Sequence, residues 1–142
     1  SFLENHPGGS LGMGLGTTVR DLMLSDQAVG SVAKSDTLRL VAETLTEYPH
    51  GLVFVRDQGR VVGIITDGDL RRALFVEGFN PDHSAAALMT KDPLSVPADE
   101  TAISAIRALE NHTPRPVSCA PVISDGKYVG VVTLHLLLQK GL

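Results

Sequence analysis

Apolar positions along the chain follow two periods in a fixed succession, and the succession occurs twice. Leu38, Val41, Ala42 and Leu45 fall at i, i+3, i+4 and i+7, the stripe of an amphipathic helix. Ala102, Ala105, Ile106 and Leu109 repeat that stripe 64 residues later. Asp36-Thr37 precedes the first helix and Glu100-Thr101 enters the second, while Val32 and Val96 lie upstream at the same offset. Beyond the helices the offset grows to 67: Val53-Phe54-Val55 aligns with Ala120-Pro121-Val122, and Gly63-Ile64-Ile65-Thr66 with Gly130-Val131-Val132-Thr133. The three extra residues of the second copy fall in Asn111-His112-Thr113-Pro114-Arg115-Pro116, whose prolines predict a loop. Upstream, Asp21-Leu22-Met23 has its counterpart in Ala87-Leu88-Met89.

Each copy therefore predicts helix, strand, turn, strand, helix. The turns are Asp57-Gln58-Gly59-Arg60 and Ser124-Asp125-Gly126-Lys127, where glycine supplies the positive φ that a tight hairpin needs. A two-stranded hairpin is marginal alone because it cannot bury its apolar face. Two copies that pack their sheets together relieve this, which predicts an α/β (α+β) fold of two pseudo-twofold-related units with clefts between them. Expected boundaries are a leading segment at 1–17, a first unit at 18–80 and a second at 81–142.

Composition narrows the function. A formal charge of −4 argues against a general nucleic-acid binder, which needs a basic face. Cys119 is the only cysteine, so no internal disulfide can form and a reduced, cytoplasmic setting is expected. The apolar runs are too short to span a bilayer, and no secretory leader is evident. Five histidines show no metal-site spacing, and Asp67-Gly68-Asp69 lacks the later ligands of a calcium loop, so no metal is expected. The glycines from Gly8 to Gly16 follow no strand and lack a dinucleotide fingerprint; they read as an interdomain hinge.

The most pointed chemistry is Gly63-Ile64-Ile65-Thr66-Asp67-Gly68-Asp69-Leu70, a branched apolar strand that ends in Thr-Asp-Gly-Asp. Thr66, Asp67 or Asp69 could cap the helix that begins there, a contribution of about 1 kcal/mol. Alternatively, the stretch binds something. A carboxylate can accept from two adjacent hydroxyls, and a threonine hydroxyl both donates and accepts.

The doubled layout, with Gly-h-h-Thr-x-x-Asp closing the first copy, resembles a tandem pair of CBS domains, a Bateman module, over residues 18 to 142. The resemblance implies a nucleotide-type ligand in a cleft, with Thr66 at phosphate or ribose and Asp69 at ribose hydroxyls. Arg71 and Arg72 follow on the same turn and could meet a phosphate or carboxylate. His50, like His112, lies just before a first strand, at a cleft border in such modules or simply in a surface loop. Val53 and Pro121, and Thr133 with His135, complete the implied ligand-binding set. In the second copy Leu136 replaces the ribose-binding Asp, and losing such a bond weakens affinity roughly ten- to a hundredfold. The resemblance thus implies asymmetry, with the Thr133/His135 cleft vacant, weak or adapted to another ligand.

Glu4-Asn5-His6-Pro7-Gly8-Gly9-Ser10-Leu11-Gly12 is similar to the tail of the sugar isomerase (SIS) domain in arabinose-5-phosphate isomerases. Leu134-His135-Leu136-Leu137-Leu138 and Thr66-Asp67-Gly68-Asp69-Leu70-Arg71-Arg72 point to the same family. The resemblance implies a covalently attached SIS domain, to whose active site His6 would be lent, and no isomerase activity in this stretch alone. It also implies a homodimer through the CBS pair and no required cofactor. The effector would be an adenine nucleotide or CMP-Kdo, the end product of a pathway that starts from ribulose 5-phosphate and arabinose 5-phosphate. A ligand-free oligomerisation spacer, or a CBS pair of an unrelated enzyme or transporter, are the alternatives.

Overall fold

The computed structural model describes residues 16–140, which form two compact units. One comprises Gln27–Pro93 and carries the first hairpin; the other joins the described residues up to Asp26 to those from Leu94 onward and carries the second. Folded units therefore differ from sequence copies. The described residues start in the second-hairpin unit, pass into the first-hairpin unit and return to the second.

In the first-hairpin unit, β2 (Ser31–Ala33) runs parallel to β3 (Leu52–Asp57), which pairs antiparallel with β4 (Arg60–Thr66). Helix α2 (Leu38–Glu47) precedes the hairpin, and α3 (Asp67–Ala73) follows it. Thr37 caps α2 by accepting from the Leu40 N–H at 3.2 Å. The predicted stripe is largely as buried as expected: Leu38, Val41 and Leu45 join Val32, Val53, Val55 and Ile65 in one core. Ala42 is only half-buried. Thr44 is buried in the helix, its hydroxyl satisfied by donating to the Leu40 carbonyl at 2.8 Å.

The second-hairpin unit repeats this plan. Its sheet has the order β1 (Leu24–Ser25), β7 (Lys127–Thr133), β6 (Cys119–Ser124), β5 (Val96–Pro97). Helix α4 (Ala102–Glu110), capped by Thr101, buries Ala102, Ala105, Ile106 and Leu109, the whole predicted stripe. Helix α5 (Leu134–Lys140) closes the unit and inserts Leu137 into the same core. Both hairpin turns place two successive residues at positive φ, Gln58 with Gly59 and Asp125 with Gly126. That pattern matches the right-handed twist of the flanking strands.

What completes each unit is the segment leading into the other copy. Helix α1 (Val19–Leu22) sits in the second-hairpin unit: the Val19 N–H donates to the Glu100 carbonyl and the Arg20 N–H to that of Ala98, both at 2.9 Å. The 3-10 turn Ala85–Ala87 occupies the equivalent place in the first-hairpin unit, with the Ala85 N–H donating to the Asp36 carbonyl at 2.7 Å. After each of these turns the chain crosses the second hairpin strand. Leu24 pairs with Val131 in one unit, and Thr90 bridges Ile64 in the other.

The two motif glycines, Gly63 and Gly130, lie under these crossings. A Cβ at Gly63 would stand 2.8 Å from the Thr90 carbonyl oxygen and 2.9 Å from Met89 Sδ. At Gly130 it would overlap the Leu24 carbonyl oxygen. A side chain at either place must push backbone aside, so overpacking of about 1–3 kcal/mol is expected. Gly130→Ala should lower the unfolding free energy by that amount, seen as a lower urea midpoint with an unchanged slope, and Gly63→Ala should act in the same direction but less. Equilibrium urea unfolding of the two variants checks both.

Candidate functional site

The end of β4 and the first turn of α3 bring Thr66, Asp69 and Arg72 together. The Thr66 hydroxyl oxygen accepts from the Asp69 N–H at 3.0 Å, and Asp69 Oδ2 accepts from the Thr66 N–H, also at 3.0 Å. This is a reciprocal capping box. Asp69 Oδ1 accepts from an Arg72 guanidinium nitrogen at 3.1 Å. The Asp69 side chain is 22% exposed and that of Arg72 45%, so this ion pair contributes at most about 1 kcal/mol.

The helix cap read from the sequence is therefore present, and it leaves chemistry to spare. A carboxylate offers about four lone-pair sites. Two are occupied here, one on each oxygen. The Thr66 oxygen accepts one bond, which leaves its O–H free to donate. A ligand would meet a hydroxyl donor and a carboxylate acceptor one helical turn apart.

The remaining expected residues divide. His50 is half-buried just before β3, and the adjacent Gly51 carbonyl accepts from the Asp67 N–H at 2.9 Å, which ties that loop to the start of α3. Arg71 is exposed. Arg72 does meet a carboxylate, but it is that of Asp69. Val53 is fully buried in the core, on the strand face that packs against α2. In the second-hairpin unit, Pro121 is buried on β6 opposite Val131, and His135 is exposed on α5. Thr133 caps α5 by accepting from the Leu136 N–H at 3.1 Å, with leucine where the first copy has its carboxylate. His6 and the segment around it lie outside the described residues.

A cavity of about 460 Å³ opens in the first-hairpin unit, and Asp69 and Arg72 are on its wall. Leu38 contributes from α2 and Ala73 from α3; Val76 to Phe79, His83, Ala87 and Leu88 complete the lining. Sequence reasoning did not find these last residues, because their meeting depends on how residues 74–88 fold back toward α2. Two contacts fix that return: the Leu38 N–H donates to the His83 carbonyl and the Arg39 N–H to that of Pro81, both at 2.9 Å. Among the described residues no group of three or more His, Cys, Asp or Glu could hold a metal ion, and no helix is long and apolar enough to cross a membrane.

Comparison with known proteins places this geometry. The family model described as CBS domain matches residues 19–76 and again residues 85–141. The arabinose 5-phosphate isomerase KdsD of Francisella tularensis is 31% identical over 139 residues, 97% of this chain and 42% of the relative. The arabinose 5-phosphate isomerase KpsF of Escherichia coli O6:H1 is 41% identical over 112 residues, 78% of this chain and 34% of the relative. The chain thus spans less than half the length of these curated relatives. The crystal structure of CBSX2 in complex with AMP superposes with a TM-score of 0.73 at 26% identity, covering 87% of this chain and 95% of that one.

The two capping threonines do the same structural work despite their different third neighbours. Thr66→Ala and Thr133→Ala are each expected to cost about 1 kcal/mol, since each deletes one helix-capping acceptor. Urea denaturation of the two variants should give closely matched losses.

Proposed function

Because the chain belongs to the CBS-domain family, with two copies in tandem, we propose that it is the ligand-sensing part of a sugar phosphate isomerase. The proposed parent interconverts ribulose 5-phosphate and arabinose 5-phosphate in the cytoplasm, towards Kdo and lipopolysaccharide or capsule. Support comes from the isomerases it resembles, which extend well beyond the region matched. The ligand is a nucleotide or nucleotide-sugar, an adenine nucleotide or CMP-Kdo. The observation that carries this reading is the Thr66–Asp69 pair, which retains one hydroxyl donor and two carboxylate lone pairs after capping is complete. A vicinal diol such as that of ribose is complementary to the carboxylate, and a phosphate to the hydroxyl. Ligand binding would act on the attached isomerase domain through its different affinity for two states of the whole enzyme.

A ligand-free spacer is favoured by one observation: both carboxylate oxygens of Asp69 already accept a bond from within the chain. Asp69→Asn separates the readings. It keeps an oxygen for the Thr66 N–H but drops the second charged acceptor. Titration calorimetry with AMP, ATP, S-adenosylmethionine and CMP-Kdo is expected to show binding by at least one of them. Asp69→Asn should then weaken that ligand roughly ten- to a hundredfold. No binding below millimolar by the unaltered chain supports the spacer.

We also propose a homodimer. Leu74 and Phe75, just past α3, are 57% and 87% exposed, an arrangement better suited to an interface than to water. Phe75→Glu should shift sedimentation velocity from dimer to monomer and leave the thermal midpoint of the chain little changed, because so exposed a ring adds little to the core.

A further inference from the structure

We propose that Met89 is a peroxide-sensitive modification site, whose oxidation to the sulfoxide releases the segment that crosses β4. Each crossing is entered by a methionine, Met23 before Leu24 and Met89 before Thr90. In both units the sulfur lies against the motif glycine of the crossed strand. A Cβ at Gly63 would stand 2.9 Å from Met89 Sδ, and one at Gly130 would stand 3.3 Å from Met23 Sδ. Both methionines are half-buried and pack on the core of their own unit. A thioether suits that place because it is apolar and adaptable. It is also a group whose polarity a mild oxidant reverses.

The step needs only a peroxide as co-reactant. A sulfur lone pair attacks one oxygen of hydrogen peroxide, and the S–O bond forms as the O–O bond breaks. The sulfur loses two electrons, and the second oxygen leaves with both protons as water. The product fits poorly. A carbon on Gly63 has no room beneath the sulfur, and an oxygen on the sulfur has none above the glycine. Pressed instead on the core, that oxygen lacks a donor, which favours states in which the side chain swings out to water. The two crossings differ in what else holds them. Leu24 and Ser25 pair in register with Val131 and Gly130, whereas Thr90 makes an isolated bridge to Ile64. That bridge is two bonds: the Thr90 N–H donates to the Ile64 carbonyl at 2.9 Å, and the Ile64 N–H to that of Thr90 at 3.0 Å. Oxidation of Met89 therefore has less to overcome than oxidation of Met23. Leu88, next to Met89, lines the cavity beside Asp69, so release of the crossing alters the wall of the candidate site.

Hydrogen peroxide treatment of the full chain in its folded state, followed by peptide mass mapping and amide hydrogen exchange, tests this. Met89 is expected to gain one oxygen without denaturant. The amide protons of Ile64 and Thr90 should then exchange about tenfold faster, and the folded-to-unfolded ratio in urea should fall by about the same factor. Methionine sulfoxide reductases, one for each epimer, should restore both properties. Met89→Leu is close to volume-conserving and should keep both through the same treatment. That variant retains Met23 and Cys119, so a loss that persists in treated Met89→Leu overturns the proposal. An unoxidised Met89 in the treated chain overturns it as well. So does Met89 sulfoxide with unchanged exchange at Ile64 and Thr90, a result that stands whether or not the variant folds.

Discussion

The crossing of a leading segment over the second hairpin strand is the constraint on which the rest of the structure depends. A hairpin of two short strands cannot hold itself together in water. Here each hairpin gains a short parallel strand on one side and a crossing segment on the other. The crossing needs the strand backbone to be bare at one point, and Gly63 and Gly130 supply it. The glycine opening each Gly-h-h-Thr motif is thus fixed by packing. Because the crossing sets where β4 and β7 end, it also sets where the threonines begin their helices.

The same geometry explains how one residue can serve stability and recognition together. At Thr66 the capping box occupies one acceptor site on the hydroxyl and one on the carboxylate, and Arg72 holds the other carboxylate oxygen. Preorganisation of this kind lowers the ordering cost of binding, since the acceptor is already held in place. The second copy keeps the threonine cap and replaces the carboxylate with Leu136. A parallel substitution occurs at the leading turns: Thr18 donates through both its N–H and its hydroxyl to Asp21 Oδ2, whereas Ser84 precedes Ala87 and makes no side-chain cap bond. Both carboxylates of the first copy are apolar residues in the second. Each folded unit, assembled from parts of both copies, therefore holds one complete capping box.

Much of this was legible because the pattern is doubled. The helical stripes, the caps at Thr37 and Thr101, and the Gln58-Gly59 and Asp125-Gly126 turns each rest on local rules that a repeated spacing reinforces. The destination of the leading segments was not legible. Asp21-Leu22-Met23 and Ala87-Leu88-Met89 span less than one helical turn, too few positions to reveal which hairpin they cover. The strands at Val32 and Val96 were hidden for a related reason, since a parallel pairing of two or three residues leaves no alternation to read. The burial of Val53 was not legible either, since motif alignment locates a position along a strand but not the face it presents. Phe79 and Leu88 carried no signal, as they come to line one cavity with Asp69 only when the chain returns toward α2.

Chemically, the surviving asymmetry has a direction. Thr133 can still donate a hydroxyl proton, and His135 beside it is exposed, but Leu136 offers nothing to a diol. A sugar is therefore recognised poorly there, whereas an anion needs only donors. The first-hairpin unit combines a carboxylate acceptor and a hydroxyl donor beside a partly apolar cavity. The second-hairpin unit retains the donor alone. If the proposed ligand binds, its sugar meets a carboxylate acceptor at Asp69 and none at Leu136.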